Sequence, residues 1–371
     1  MDPKVIALYL PQFYPFKEND EWWGKGFTEW TNVGKAKPLF KGHLQPRVPA
    51  DLGYYDLRLS EVREQQAELA REAGVHAFCY WHYWFGNGKR LLERVFDEVL
   101  ESGKPDFPFC LGWANHSWYA KTWNKDSQVN RLLVEQAYPG IEDAKMHFDY
   151  LLKAFKDDRY LKVDGKPFFL VFDTDHLPDD YLKWFNDWSK EAGFPGIYLV
   201  ANSFDTLRSP NTYLVKGYSA VTYNRLSAFW YEDYNNSGRI KRSVMRLKRI
   251  LQPYITGHPR GAFDYGKTYH RLISDVDKEE NVIPEVVPQW DHSLRSGKNA
   301  ATLFYNATPE YFYLHVCEAL EALKSKKREN QLLILKSWNE WGEGNYIEPD
   351  LMYGKGFLNS LKRAIDDYKE K

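Results

Sequence analysis

The sequence predicts an α/β fold, a (β/α)₈ TIM barrel forming a single domain with long βα loops. The first observation is that short apolar runs alternate with helical patterns along all 371 residues. The second is that eight such runs can be counted, as many as a closed barrel needs. The third is that nearly every run ends in Trp, Tyr, Asn, Asp or His, and barrel sites are built at strand ends. We therefore expect one catalytic domain over residues 1–371.

Each predicted strand is a short apolar run bounded by turn residues, the pattern typical of a buried parallel strand. The sixth run is the weakest, and the seventh is included despite Pro284. In chain order the predicted strands are residues 5–9, 76–81, 109–113, 167–172, 197–201, 219–223, 282–287 and 332–336.

The predicted helices follow the strands and have recognisable ends. Gly74, Gly103 and Gly193 each follow an apolar-periodic segment, where glycine commonly ends a helix. The helix after Ala201 is poorly marked, and the segment 240–254 carries a basic helical pattern. The predicted helices are residues 60–73, 91–102, 142–155, 179–192, 240–254, 309–324 and 356–368.

An open, doubly wound sheet is the competing fold, since it also alternates strands and helices. No glycine-rich phosphate loop follows the first predicted strand, which counts against it. Long loops follow the first and third strands, at residues 11–59 and 114–141. Loops of this length in a compact domain usually carry function.

The bulk composition favours a carbohydrate site. Net charge is -1, from 50 Lys and Arg against 51 Asp and Glu, so neither a nucleic-acid nor a polybasic membrane footprint is evident. Aromatic residues make up 17%, including 14 Trp and 26 Tyr. Trp and Tyr side chains bury well only when their polar groups find hydrogen-bond partners. A cleft lined with these rings leaves the polar groups accessible, and sugars are the usual ligands of such a cleft. We expect an oligo- or polysaccharide substrate.

The cysteines and the hydropathy pattern suggest the compartment. Cys79, Cys110 and Cys317 are odd in number and widely spaced, as expected for buried thiols in a reducing compartment. The chain shows no secretory signal peptide and no run of about 18 apolar residues. We expect a soluble cytoplasmic protein without an integral membrane segment, with no cofactor and no metal.

The segment 334–344 is the most informative in the chain. An apolar run, suited to a buried strand, ends in Glu340 and Glu343, which are flanked by tryptophans and glycines. A straight strand would point these carboxylates to opposite faces, but glycines allow a bend that brings both into one site. Paired carboxyl groups beside aromatic walls suit glycosidic-bond chemistry, in which one holds a proton and the other stays ionised. A polar loop with structural tryptophans is the alternative.

The remaining predicted site residues stand at the strand ends and in the loops after them. Aromatic rings stack on sugars, and amide or carboxylate groups bind hydroxyls. Glu348 is predicted to orient the paired-glutamate loop. The candidate substrate-binding residues are Tyr9, Trp30, Tyr80, Trp81, Trp113, Asn115, Asp173, Asn202, Tyr223, Gln289, Trp290 and Asn339.

The Asp173-Thr174-Asp175 segment leaves a second chemistry open. An Asp-x-Asp after a strand can hold a divalent ion on a nucleotide-sugar, which would make the protein a transferase. The pattern is short and common, and a turn role is the simpler interpretation. His82, His116 and His176 lack metal-site spacing and are predicted to hydrogen-bond instead.

Several of these motifs together resemble the glycoside hydrolase family 99-like proteins found with bacterial O-antigen and capsule polysaccharide genes, many of which are described as glycosyltransferases. The first and last motifs are specific, and the resemblance covers nearly the whole chain. The matching segments are residues 7–13 (ALYLPQF), 21–30 (EWWGKGFTEW), 113–115 (WAN), 288–291 (PQWD) and 337–344 (SWNEWGEG).

The resemblance implies a (β/α)₈ barrel and a retaining mechanism on α-linked, manno- or rhamno-configured glycans. In family 99 endo-α-mannosidases a first glutamate deprotonates the sugar 2-hydroxyl, giving a 1,2-anhydro sugar, and a second is the acid/base. Carried over, these roles fall to Glu340 and Glu343. The family usually has His where this chain has Gly342. A glycosyltransferase building the same polymers and a non-catalytic glycan-binding barrel are the alternatives.

Overall fold

A computed structural model of the protein describes residues 3–120, 130–226 and 228–370. Its centre is a ring of parallel strands, labelled β1 to β8 here. They are Lys4–Tyr9, Val75–Trp84, Phe109–Trp113, Lys166–Val171, Tyr198–Ser203, Ala220–Tyr223, Glu285–Val286 and Leu332–Leu335.

Strands that are neighbours in the ring are also neighbours in sequence. The hydrogen-bonded order is β6-β5-β4-β3-β2-β1-β8-β7. Val221 of β6 forms a parallel bridge with Val282, just before β7, which closes the ring. An open doubly wound sheet would reverse its strand order at a switch point. The predicted (β/α)₈ barrel is therefore confirmed.

Helices surround the barrel and also occur within its loops. The α-helices of the described residues, labelled α1 to α13, are Lys17–Trp23, Glu29–Lys35, Ser60–Glu72, Glu93–Ser102, Ile141–Phe155, Asp179–Glu191, Asn211–Leu214, Ala228–Asn235, Arg239–Ile255, Tyr265–Thr268, Ser293–Ser296, Pro309–Leu323 and Gly356–Lys369. Short 3₁₀ segments are Tyr269–Arg271, Asp275–Lys278, Gly297–Asn299, Arg328–Asn330 and Trp341–Glu343. Short strands outside the ring are Arg90–Leu91, Trp118–Tyr119, Leu132–Val134, Lys162–Val163, Ala262–Asp264, Leu303–Tyr305, Asn339–Glu340 and Asn345–Tyr346.

Local sequence accounts for the ends of several helices. Helix α12 starts after Thr308, whose side chain accepts the N–H of Tyr311, and proline occupies its first position. Helix α4 stops at Gly103, which adopts the left-handed conformation with φ of 70°. The poorly marked unit after Ala201 contains α7, a helix of 4 residues. One turn is too short to show an amphipathic period, which explains its weak signal.

Alternate side chains of each barrel strand face the barrel or the surrounding helices. In β2, Trp81 and Tyr83 face the barrel mouth. His82, between them, faces α5, where its Nε2 lies 2.8 Å from Nε2 of His147. Burial lowers the pKa of both histidines, so the pair is neutral and structural. Throughout the described ranges, no helix has both the length and the apolarity needed to cross a bilayer.

Candidate active site

A cleft of about 450 Å³ opens at the carboxyl ends of the barrel strands. This volume is in the range of pockets that hold small ligands. Its walls combine aromatic rings with a few polar and charged groups. The rings are Trp81, Tyr83, Trp118, Phe172, Phe204 and Trp290, and the polar groups include His116, Asn224, His292, Arg295, Lys336, Glu340, Glu343 and Asn345.

The loop after β8 turns both glutamates into this cleft. Residues Asn339–Glu340 pair antiparallel with Asn345–Tyr346, and a 3₁₀ turn joins the two segments. Gly344 adopts φ of +55°, and a Cβ there would come within 2.7 Å of the Asp291 Cβ. Only glycine combines that conformation with that close approach. The bend predicted from the glycines is therefore present, and Glu340 and Glu343 both line the cleft.

Arg295 of α11 connects both glutamates to a third carboxylate, Glu29 of α2. Its Nη1 donates to Glu343 Oε1 at 2.6 Å, and its Nη2 lies 3.1 Å from Glu340 Oε1 and 3.0 Å from Glu29 Oε2. Side-chain exposure is 4% for Arg295 and 0% for Glu29, and rises to 11% and 19% for Glu340 and Glu343. We call these four residues the arginine–carboxylate cluster. Its buried end is Glu29, and its open end is Glu343.

Gly342 provides the space that the Glu29 carboxylate occupies. A Cβ at Gly342 would overlap Glu29 Oε2 and would lie 3.3 Å from Arg295 Nη2. A residue with a side chain here would force Glu29 out of its ion pair with Arg295. The His that the family 99 motif usually carries at this position would therefore not fit beside the Glu29 carboxylate of this chain.

The arginine–carboxylate cluster has more negative than positive groups, and this sets its protonation. Burial and the neighbouring Glu343 charge together raise the pKa of Glu340 to about 8, although Arg295 opposes both. Burial also raises the pKa of Glu29, and Arg295 again opposes the shift. One guanidinium cannot neutralise three carboxylates, so the cluster retains a proton near neutral pH. Burial, aided by Glu340, raises the pKa of the Tyr83 hydroxyl as well.

A buried carboxylate, Glu348, anchors the loop from below. It accepts hydrogen bonds from Trp341 Nε1 at 2.6 Å, Gln66 Nε2 at 2.6 Å and Tyr55 Oη at 2.8 Å. Burial raises the pKa of Glu348 to about 7, and the hydrogen bonds oppose the rise. Trp30 packs on Trp341 with ring centroids 5.4 Å apart. Glu348 thus orients the loop, as predicted, whereas Trp30 supports it from outside the cleft.

Asp291 connects helix α11, which carries Arg295, to other loops at the mouth of the cleft. Its carboxylate lies 2.8 Å from His43 Nε2, accepts Gln45 Nε2 at 2.6 Å, and accepts the N–H of Ser293 at the start of α11. Its own N–H donates to the backbone oxygen of Glu343 at 2.8 Å. Burial raises the pKa of Asp291, but His43, Ser293 and Arg47 more than offset this effect and lower the pKa to about 2. The ionised Asp291 carboxylate therefore holds α11, which carries Arg295, beside the backbone of Glu343.

Four predicted site residues lie on the other face of the barrel wall. Tyr9, Tyr80, Trp113 and Tyr223 point outward, with contacts to helix side chains or loop backbone. This corrects the prediction that they form subsites. The reason is strand alternation, because a position at a strand end faces the cleft or the helices depending on its register. In β2, Tyr80 is buried between the barrel and the surrounding helices, whereas Trp81 lines the cleft as predicted.

Four further candidates hold backbone in place instead of lining the cleft. Asn115 binds both the N–H and the C=O of Asp173, each at 2.7 Å. Asn339 binds the N–H and C=O just after β1 at 2.8 and 3.0 Å. Asn202 and Gln289 each donate to a backbone carbonyl. These side chains are framework groups, which corrects their assignment as subsite residues, while Trp290 does line the cleft.

The Asp-x-Asp segment forms a turn. Asp173 Oδ1 accepts the N–H groups of Asp175 and His176, and Asp173 Oδ2 lies 2.8 Å from His176 Nδ1. Asp175 pairs with Arg208 instead of converging with Asp173. Within residues 3–120, 130–226 and 228–370, no group of three or more His, Cys, Asp or Glu side chains is arranged to hold a metal ion.

Sequence reasoning missed Arg295 and Glu29, which complete the arginine–carboxylate cluster. Glu29 lies within the segment 21–30 that carries the family resemblance, but nothing in its spacing shows that it meets Glu340. Arg295 follows the seventh strand in a stretch without a recognisable motif. The signal that could have found Arg295 was the charge balance of the site, since a site with buried paired carboxylates needs a cation nearby.

The closed barrel of this chain is similar to solved structures of glycoside hydrolases and related proteins. A solved family 99 endo-alpha-mannosidase from Bacteroides thetaiotaomicron superposes with a TM-score of 0.59 at 14% identity, covering 100% of this chain and 98% of that one. A structure described as a glycoside hydrolase-like protein also gives 0.59, at 16% identity, covering 98% and 94%. At these identities the likeness shows the fold.

The chain belongs to the family described as Glycosyltransferase WbsX, whose model matches residues 5–361. It is also 32% identical over 366 residues to a protein of Xanthomonas campestris pv. campestris (strain B100) described as "Uncharacterized protein WxcX". That match covers 97% of this chain and 49% of the relative, so the chain spans about half the length of the curated relatives it matches. The family resemblance predicted from the motifs is confirmed.

Replacing Gly342 by Ala is expected to destabilise the protein by about 1–3 kcal/mol, the usual cost of overpacking a buried site. The added methyl group would displace Glu29 from Arg295. The matched control is Gly34→Ala in α2, where an added Cβ meets no atom within 4 Å. Urea unfolding of both variants measures the difference. Equal stability of the two variants would show that Gly342 is not a packing requirement.

Replacing Glu340 by Gln is expected to stabilise the protein by on the order of 2 kcal/mol at pH 7. The folded pKa of Glu340 is raised from 4.5 to about 8, so folding takes up a proton in this window and wild-type stability falls as pH rises. The glutamine variant lacks this loss, so its advantage grows from pH 4.5 towards pH 8. Urea unfolding across this range tests it, with exposed Glu191→Gln as control. An advantage independent of pH would contradict the account.

Proposed function

We propose that the protein is a retaining, glycoside hydrolase-like enzyme that acts on α-linked, manno- or rhamno-configured bacterial polysaccharide. The observation that carries the proposal is the pair Glu340 and Glu343, bound to one arginine at the carboxyl end of β8. Barrel enzymes place their chemistry at this end of the strands. The indole rings of the cleft offer the apolar surfaces on which sugar rings stack.

Division of labour between the glutamates follows the resemblance, with Glu340 as the base on the sugar 2-hydroxyl and Glu343 as the acid/base. Burial and Glu343 raise the pKa of Glu340 to about 8, and a carboxylate with a raised pKa is a stronger base once it has lost its proton. Glu343 is at the open end of the cluster, where a leaving-group oxygen can reach it. A 1,2-anhydro sugar is the intermediate that these roles require.

The shared proton of the arginine–carboxylate cluster fits this chemistry. Glycoside cleavage needs one carboxyl group protonated and its neighbour ionised before the substrate reacts. Arg295 contacts both groups, so it stabilises the ionised member whichever one holds the proton. We infer that residues 1–371 act as one catalytic domain, and that the activity of any longer protein that contains it is built on this cleft.

A glycosyltransferase of polysaccharide biosynthesis is the second candidate, favoured by the description of the family to which the chain belongs. Such an enzyme would use the same cleft to pass a sugar to another hydroxyl instead of to water. The Asp173 and Asp175 carboxylates, predicted to serve it, are each engaged by other side chains. A non-catalytic glycan-binding barrel is the further alternative, and it predicts binding that survives loss of both glutamates.

Replacing Glu343 by Gln is expected to abolish cleavage of unactivated glycosides while sparing part of the activity on aryl glycosides with good leaving groups. A good leaving group departs without a proton from the enzyme, so only the first kind of substrate needs the acid. Aryl α-mannosides and α-rhamnosides, natural polysaccharides and both glutamate variants form the assay. The control is Glu191→Gln, which should cleave like the wild type.

Three outcomes separate the candidates. Cleavage that resists EDTA and is lost in Glu340→Gln supports the hydrolase. Equal residual activity of Glu343→Gln on both kinds of substrate would refute the acid assignment. An absence of cleavage, together with a thermal shift caused by a nucleotide-sugar and Mn²⁺, would favour the transferase instead.

A further inference from the structure

Helix α9, Arg239–Ile255, is the longest helix described and has no buried residue. Its sequence, RIKRSVMRLKRILQPYI, contains six basic residues and no acidic one. The whole chain is nearly neutral, with a net charge of -1, so this charge is concentrated locally. At about 1.5 Å per residue the helix is roughly 25 Å long.

One face of α9 holds the helix to the body of the protein. Arg242 Nε donates to the backbone oxygen of Tyr234 at 2.9 Å. The Arg249 guanidinium lies 4.3 Å from the ring centroid of Trp230. Gln252 Nε2 donates to two backbone carbonyls, each at 2.9 Å. These anchors are spaced seven and three residues apart, so they lie on one side of the helix.

The opposite face is an uninterrupted apolar stripe open to solvent. Its members are spaced four, three, four and three residues apart, which aligns them along the helix. Exposure of these apolar side chains ranges from 38% to 84%. We call this surface the α9 stripe, and it consists of Ile240, Val244, Leu247, Leu251 and Tyr254.

Basic side chains border the α9 stripe on both edges. With 100° between successive residues, Lys241 and Lys248 fall on one side and Arg239 and Arg246 on the other. An apolar face flanked by long cationic side chains is the pattern of helices that lie in a membrane interface. The rings and aliphatic groups enter the acyl boundary, while the cations reach the phosphates. A second protein copy would bring the same positive charge and be repelled.

A cationic pocket lies between α9 and the catalytic cleft. Four cations line it: Arg246, Arg249, Arg260 and Lys298. Within the part of the chain that the structure describes, none of them forms an ion pair with a carboxylate. Ala301 borders both this pocket and the catalytic cleft. A membrane under α9 would therefore bring its anionic headgroups beside the mouth of the active site.

We propose that α9 seats the protein on an anionic membrane surface, with the α9 stripe in the interface and the cationic pocket against lipid phosphates. The cleft then meets glycans that are attached to, or concentrated at, that surface. This last step rests on the proposed function, whereas the membrane contact itself does not. Binding without a spanning helix is what an interfacial helix provides.

The test is co-sedimentation of the full chain with vesicles of phosphatidylcholine, alone or mixed with anionic phosphatidylglycerol. We expect binding only to the anionic vesicles, weaker at high ionic strength. Leu247→Glu/Leu251→Glu should reduce it by about tenfold or more, because it places charge in the interface. Arg246→Glu/Lys248→Glu, which spares the anchoring Arg249, should also reduce it. Both pairs lie on a helix with no buried residue, and thermal unfolding confirms that the variants are folded.

Matched controls come from other exposed helices. Met146→Glu on α5 introduces an acid at a 51% exposed apolar position, and Lys183→Glu/Lys190→Glu on α6 reverses two exposed charges. Both should bind like the wild type, and so should Glu340→Gln, which tests membrane binding independently of catalysis. Vesicle binding by the stripe variant equal to that of the wild type would overturn the proposal.

Two other results would overturn it in favour of a different ligand. Binding of inorganic phosphate to the wild type, together with an absence of binding to anionic vesicles, would assign the cationic pocket to soluble anions instead. A wild-type dimer in sedimentation velocity that Leu247→Glu/Leu251→Glu dissociates, without any vesicle binding, would show that a second copy covers the α9 stripe.

Discussion

The contact of one buried guanidinium, Arg295, with three carboxylates is the constraint on which the site depends. A buried charge is tolerated only when paired, and removing one partner leaves the others uncompensated. Arg295 therefore fixes Glu29 at the base of the site and Glu340 and Glu343 at its surface. The excess of carboxylates keeps a proton in the cluster, which is the condition for acid and base chemistry by two like groups.

The surrounding structure can be understood as support for this contact. Gly342 leaves room for the Glu29 carboxylate, and Gly344 lets the chain turn back beside Asp291. Asp291 contacts both the start of α11 and the Glu343 backbone, so it holds Arg295 and Glu343 next to each other. Below the loop, Glu348 collects hydrogen bonds from both tryptophan and tyrosine side chains. Two layers of buried carboxylates thus fix one short loop.

The sequence was sufficient for the barrel and for the paired glutamates, because periodicity and a glycine-flanked motif are local signals. It was insufficient to predict the register of the strands, and so which side chains of each strand face the cleft. Tyr80 and Trp81 are adjacent aromatic residues, yet only the second faces the cleft, and which one does so depends on pairing across the whole ring. Arg295 was missed because its partners lie far away in the chain. The exposure of the α9 stripe was likewise invisible, since a helical period does not reveal whether a partner covers it.

The most direct test of this account is a pH titration of the protein labelled with ¹³C at the glutamate carboxyl carbons, followed by NMR. The Glu340 resonance is assigned by its loss in Glu340→Gln. The account predicts that this carboxyl group titrates far above the usual glutamate range, near the value of about 8 that burial and Glu343 impose. Titration of every glutamate resonance below about pH 5, within the ordinary range, would contradict a proton held by the arginine–carboxylate cluster.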